Sequence, residues 1–225
     1  MAETEDTWPL PKYNPGSRKH LHALGVIAVC YAAFERGVDE LYMLHPTKQK
    51  LPPKLTSLYY FSLNEERRLA AIKEVFDAYE KDTNVKAAIG NLLEYFQWCR
   101  DVRNNLLHAE HYPALFGGDP ETLHLTKREG KREPKQVYVA LGINRLRSIA
   151  DKIQEGRRHC ASLRIYLRAR DTPIYELSTG LKAHAHEPLA ETLTVPRPLK
   201  LRPRPPNPPM PTYLRGRFYL SAKSD

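Results

Sequence analysis

Four stretches of the chain carry apolar residues at alternating steps of three and four, a spacing that suits α-helices packed through one stripe each. In the first, Leu24, Ile27, Tyr31, Phe34, Val38 and Leu41 share a face, with Ser17 placed to cap the start after Pro15 and Gly16. This helix is expected to stop near His45 and Pro46. The stretch "PTKQKLPPK" reads as a loop, because Pro52 and Pro53 cannot continue a helix. A second helix is expected from near Ser62, whose spacing to Glu65 matches a capping box, through Leu69, Ile72, Val75, Phe76 and Tyr79. Asp82, Thr83 and Asn84 interrupt the pattern. A third helix then carries Val85, Ile89, Leu92, Phe96, Cys99, Val102 and Leu106 to an end near Glu110, before Pro113.

Past Pro113 the period changes. "FGGDP" is a turn, and "TLHLTKREGKREPKQVYVAL" holds two alternating β-rich runs around a charged, Gly-containing tip, which predicts a β-hairpin arm at about residues 121–140. From about Ile143 to Asp171 a fourth helix turns Leu146, Ile149, Ile153, Cys160, Leu163 and Leu167 inward. Gly156 interrupts it, giving either a kink or two consecutive helices. Beyond Thr172 the periodicity fades. "VPRPLKLRPRPPNPPMPTYLRGRFYL" is proline-dense and basic, so it is expected to be extended, polyproline-like or disordered. The fold class expected is all-α. It comprises an N-terminal extension (1–16), a helical domain of four to five helices (17–171) with the hairpin as an insertion, and a basic proline-rich tail (172–225).

With 225 residues the chain can bury one substantial core plus an appendage. Its 35 Lys and Arg against 26 Asp and Glu leave a formal charge of +9, a field that favours anionic partners, nucleic acid first among them. Cys30, Cys99 and Cys160 are widely spaced in helical segments and read as buried free thiols of a reducing compartment. "MAETEDTWPLPKYNPG" lacks the basic and apolar regions of a signal peptide, and no run reaches the roughly eighteen apolar residues of a membrane span, so a soluble cytoplasmic protein is expected.

The polar run "RDVRNNLLHAE" at the end of the third helix is the candidate site. On an ideal helix Asn104 and His108 lie one turn apart on the face opposite Leu106, while Arg103 flanks the apolar stripe, about 60° from Leu106. An arginine and a histidine five positions apart are not aligned, so the spacing permits a shared site without demanding one. The chemistry open to such a pair is RNA cleavage without a metal. A histidine near neutrality takes the 2′-hydroxyl proton or protonates the leaving oxygen, and an arginine holds the scissile phosphate by forked hydrogen bonds. Asn104 would orient the imidazole or the ribose. The same three residues on an exposed helix end, with His108 against the C-terminal dipole, are also ordinary surface chemistry.

An all-helical domain with Arg103, Asn104 and His108 in "RNNLLH" on the third of four helices resembles the HEPN superfamily, whose signature is an arginine, a polar residue after it, and a histidine four to six residues past the arginine. The likeness covers about residues 17 to 171; the hairpin and the tail lie outside the family pattern. It implies a homodimer in which both copies of Arg103 and His108 face one composite cleft. RNA would be cut there without metal or cofactor, leaving a cyclic phosphate end. Members of the superfamily act in toxin–antitoxin, phage-defence or RNA-processing systems, and others only bind nucleic acid.

Other residues complete the candidate set. Glu35 and Arg36 on the first helix would add a carboxylate and a cation near the site, or form a solvated face; His111, just past the third helix, would assist. Lys127, Arg128, Lys131 and Arg132 at the hairpin tip, with Arg157 and Arg158 on the fourth helix, are candidate phosphate contacts. A metal site on His108 with His111, or on His184 with His186, lacks a third ligand at a useful spacing. Besides the ribonuclease, two readings stay open. One is a catalytically silent RNA-binding module. The other is a dimeric helical scaffold whose P-x-x-P tail recruits partners, an antitoxin or another protein among them.

Overall fold

A computed structural model describes residues 18–48, 52–112, 122–129, 135–171, 189, 192–200 and 202–203. The described chain is mostly helical: α1 (Arg18–Lys48), α2 (Pro53–Ser62), α3 (Glu65–Tyr79), α4 (Thr83–Leu107) and α5 (Ile143–Asp171), with short strands β1 (Glu110–Tyr112) and β4 (Arg202–Pro203) flanking a hairpin of β2 (Thr122–Glu129) and β3 (Lys135–Gly142). α1 lies at the centre, packed chiefly on α5 and also on α4, α3 and α2.

The apolar stripes are the core. Ile27, Tyr31, Phe34, Val38 and Leu41 of α1 meet Ile89, Leu92, Phe96, Cys99, Val102 and Leu106 of α4 and Leu146, Ile149, Ile153, Cys160, Leu163 and Leu167 of α5, all buried. Aromatic geometry fixes the centre: Phe96 stacks on Tyr31 at 5.4 Å between centroids and takes Phe34 edge-on at 5.0 Å, arrangements favoured by the ring quadrupoles. In α3 only Ile72 and Phe76 are fully buried, while Tyr79, placed on the inward stripe from the sequence, is exposed. Cys99 and Cys160 are buried thiols as expected, and burial pushes Cys160 up to about 12; Cys30 is only partly buried.

The helix boundaries differ from those expected at prolines and caps. Residues 53–62 form a helix rather than loop, because Pro53 sits in the first turn, where its missing N–H costs nothing. Ser62 closes that helix, its hydroxyl donating back to the Tyr59 carbonyl at 2.6 Å, so the cap of α3 is Asn64, whose Oδ1 accepts from the Arg67 N–H at 2.9 Å. α1 runs to Lys48, past the expected stop. α4 ends at Leu107, and Glu110 instead opens β1.

Gly156 neither kinks nor divides α5, which is continuous over Ile143–Asp171. A Cβ there would stand 2.6 Å from Phe34 Cε1 and 2.8 Å from Tyr95 Cε1, so the glycine permits the close approach of α5 to the aromatic centre.

Among the described residues one helix, α1 over Arg18–Leu44, is long and apolar enough to cross a membrane by length and composition, with mean hydropathy 1.3. Counting unbroken apolar residues missed it, because His22 and Glu35 interrupt the run. In this fold its apolar stripe is packed into the core.

The sheet is antiparallel in the order β1-β2-β3-β4. Leu123 stands opposite Leu141 and Leu125 opposite Val139, and these four side chains are buried, the period-two pattern of a hairpin with one covered face. β4 belongs to the proline-rich segment. Whether that segment returns to the helices was not legible in the sequence; residues 192–200 and 202–203 do return, the former bonded to α4 and the latter pairing Arg202 with Tyr138 and Pro203 with Val137.

Candidate functional site

The last two turns of α4 present Arg100, Arg103, Asn104 and Asn105 around the buried anchors Val102 and Leu106. Arg103 leans across to α1, its guanidinium carbon 4.8 Å from the centre of the Tyr31 ring, a cation–π contact worth about 1 kcal/mol. Its Nη1 donates to Asn104 Oδ1 at 2.7 Å. The Tyr31 hydroxyl donates to Glu65 Oε1 at 2.5 Å, and Glu65 Oε2 stands 3.2 Å from Arg100 Nε. Burial and the Glu65 carboxylate raise the Tyr31 hydroxyl far above the usual phenol range, so it stays a neutral donor. Glu65 lies in the first turn of α3, where the helix dipole favours a carboxylate.

A second polar cluster adjoins this one. Arg68 reaches Glu35 at 3.1 Å and Asp39 at 2.9 Å, and the Tyr60 hydroxyl donates to Asp39 at 2.6 Å. Burial and the neighbouring Glu65 raise Glu35 above the ordinary carboxylate range, against the pull of Arg68. Glu35 therefore belongs to a half-buried network and not to a solvated face. Arg36 is the solvated one, with 85% of its side chain exposed and Glu40 at 3.5 Å.

His108 caps the C-terminus of α4. Its φ of −100° and ψ of 4° are no longer helical, its N–H donates to the Asn104 carbonyl at 3.1 Å, and it is exposed. Its N–H still completes a bond one helical turn back to Asn104, and the chain leaves the helical path after it. Arg103 and Asn104 are in direct contact, and His108 is tied to Asn104 through the backbone. His111 lies in β1, its backbone opposite Leu125.

The hairpin brings Lys127 to the site, its Nζ donating to Asn105 Oδ1 at 2.8 Å. Arg128 is exposed on β2, and Arg157 and Arg158 are exposed on α5; Lys131, Arg132, His184 and His186 lie outside the described residues. Among the described residues no three His, Cys, Asp or Glu side chains converge as metal ligands.

Sequence reasoning missed Tyr31, Glu65 and Arg100 as site residues, taking the first as core and the second as part of a cap. It also missed Asn91 and Trp98, which hold the proline-rich segment as a strap. The Asn91 amide makes two bonds with the Leu193 backbone, at 2.9 and 2.8 Å, and Trp98 Nε1 donates to the Arg197 carbonyl at 3.1 Å. Between strap, α4 and β2 lies a cavity of about 630 Å³ onto which Asn104 opens.

Comparison of the chain with protein-family models, curated proteins and solved structures found no match.

Proposed function

We propose that this protein is a metal-independent endoribonuclease of HEPN type, with His108 as general acid and base and Arg103 as the residue that stabilises charge on the scissile phosphate. The observation that carries the reading is the bracing of Arg103. The Tyr31 ring face and the Asn104 amide fix the guanidinium at the end of α4, five residues before an exposed histidine tied to Asn104 by its backbone. In the reaction the 2′-oxygen attacks phosphorus as imidazole takes its proton, and the P–O5′ bond breaks as the imidazolium gives a proton to the departing oxygen, leaving a 2′,3′-cyclic phosphate and a free 5′-hydroxyl. Arginine stabilises charge on the non-bridging oxygens.

A second copy of the chain would close the site, excluding water from both motifs. Exposed Leu58, Tyr59 and Phe61 on α2 support self-association, since exposed apolar patches of this kind mark interaction surfaces. A toxin–antitoxin or defence setting, with an antitoxin partner, follows from the same resemblance.

The test is cleavage of a mixed RNA pool in EDTA by wild type, His108→Ala and Arg103→Ala, each checked for folding and oligomeric state. Wild-type cleavage should fall at least a hundredfold in both variants, with cyclic phosphate ends. RNA binding without cleavage in the pure wild type would leave a binding module, the reading favoured by the fact that Arg103 already lies against the Tyr31 ring and spends a donor on Asn104.

A further inference from the structure

The strap is pinned at both ends and in the middle. Asn91 grips Leu193, Trp98 grips Arg197, and β4 pairs with β3 at Tyr138. Between the first and last of these anchors Pro196 and Pro198, each with its φ fixed by the ring, form one wall of the 630 Å³ cavity. Asp101, Asn104 and Asn105 of α4 and Lys127 of β2 form the other. The volume falls in the range of small-ligand sites.

This set of groups selects among ligands. An inorganic anion would meet Lys127 but also the Asp101 carboxylate, at a repulsive cost. A wholly apolar ligand would take water away from Lys127, Asp101 and the asparagine amides and offer them nothing in return. A nucleotide answers both walls: a planar face against proline rings, a hydrogen-bonding edge toward Asp101 and the asparagines, and a phosphate toward Lys127. The strap closes one side of the groove, so a base must be unstacked to enter, which excludes duplex.

We propose that the groove between α4, β2 and the strap is a subsite for one unpaired nucleotide of single-stranded RNA, and that Asp101 makes guanine the preferred base. Guanine presents two adjacent N–H donors on its Watson–Crick edge, the match for a carboxylate that accepts twice; uracil and cytosine do not. Asn104 faces this groove while its Oδ1 holds Arg103, so a base seated there lies one side chain away from the arginine assigned to the phosphate. The inference rests on RNA being the substrate and deepens that reading with a base preference.

The test uses full-length protein and labelled 2′-O-methyl hexauridylates carrying a single central G, A or C, with binding read by fluorescence anisotropy over a salt series. Wild type should bind the G-containing oligonucleotide about tenfold tighter than the all-U one. Asp101 is exposed, so Asp101→Asn should fold normally and lose the preference. Lys127→Ala should weaken every oligonucleotide alike and lower the salt slope by about one. Equal binding of all four oligonucleotides by wild type, or a guanine preference that survives Asp101→Asn, overturns the subsite. These oligonucleotides lack the free 2′-hydroxyl that cleavage needs. A guanine preference in a protein that cuts no RNA would therefore fail the ribonuclease and keep the subsite, and cleavage with base-blind binding would do the reverse.

Discussion

The tie between Glu80 and Arg170 is the interaction whose strength can be worked most directly. Glu80 follows α3, and its side chain is 4% exposed. Burial alone would raise its carboxyl, yet Arg170 at the end of α5 and the N–H groups of Asp82 and Lys81 hold it at about 2 against an ordinary 4.5. Arg170 supplies a forked pair at 3.2 and 2.8 Å, and the two backbone donors each stand 2.9 Å from Oε1.

A folded-state pKa below the unfolded one means stability that is present above pH 4.5 and lost as the pH falls toward 2. The difference of two to three pKa units corresponds to about 3 kcal/mol at neutral pH. Glu80→Gln keeps the size and one acceptor but not the charge. Urea unfolding of wild type and variant across pH 7 to 3 should show a gap of about 3 kcal/mol at pH 7, shrinking to less than half by pH 3 as the unfolded wild type takes up a proton at Glu80 that the variant has no group to bind. A gap of constant size over that range would refute the assignment, because an uncharged cause does not titrate. Loss of the gap between pH 7 and 5 would refute it too, since a group held at about 2 cannot titrate there.

Two further substitutions probe the aromatic centre. Gly156→Ala gains about 1 kcal/mol of helix propensity but drives a methyl into Phe34 and Tyr95, costing about 1–3 kcal/mol, so a net loss in urea midpoint stability is expected; a gain would show that α5 does not approach this closely. Tyr31→Phe keeps the ring under Arg103 and removes the bond to Glu65, so thermal melting should report a loss of about 1 kcal/mol while Arg103 stays in place; unchanged stability would mean that the hydroxyl is not held by Glu65.

What was legible in the sequence follows the range of the interactions. The inward residues of α1, α4 and α5 were read correctly because a helix repeats its environment every three or four positions, so burial writes itself locally. The hairpin likewise announced itself by alternation around a polar tip. α2 was lost because a proline pair reads the same whether it ends a helix or begins one, and what decides is whether the following residues find a partner, as buried Tyr60 does with Asp39. Gly156 was misread for a related reason. A glycine that relaxes the backbone and one that admits a neighbouring ring are the same letter, and Phe34 stands on another helix. The strap is the extreme case, since Asn91 and Leu193 are 102 positions apart and no local pattern joins them.

The site divides along the same line, and the division bears on what Arg103 can do. The run of Arg103, Asn104 and His108 is local and was visible, but what the guanidinium lies against depends on groups from α1 and α3. Had Glu65 paired with Arg103 directly, the guanidinium would have been neutralised and its attraction for a phosphate largely spent. Instead Arg100 faces one Glu65 oxygen, and the Tyr31 hydroxyl donates to the other. Tyr31 offers Arg103 only its ring face, and Asn104 offers a neutral amide oxygen. Both contacts orient the guanidinium and neither cancels its charge. The carboxylate thus positions the arginine through Tyr31 without pairing with it, a link that needs the tyrosine hydroxyl and that a phenylalanine would not supply.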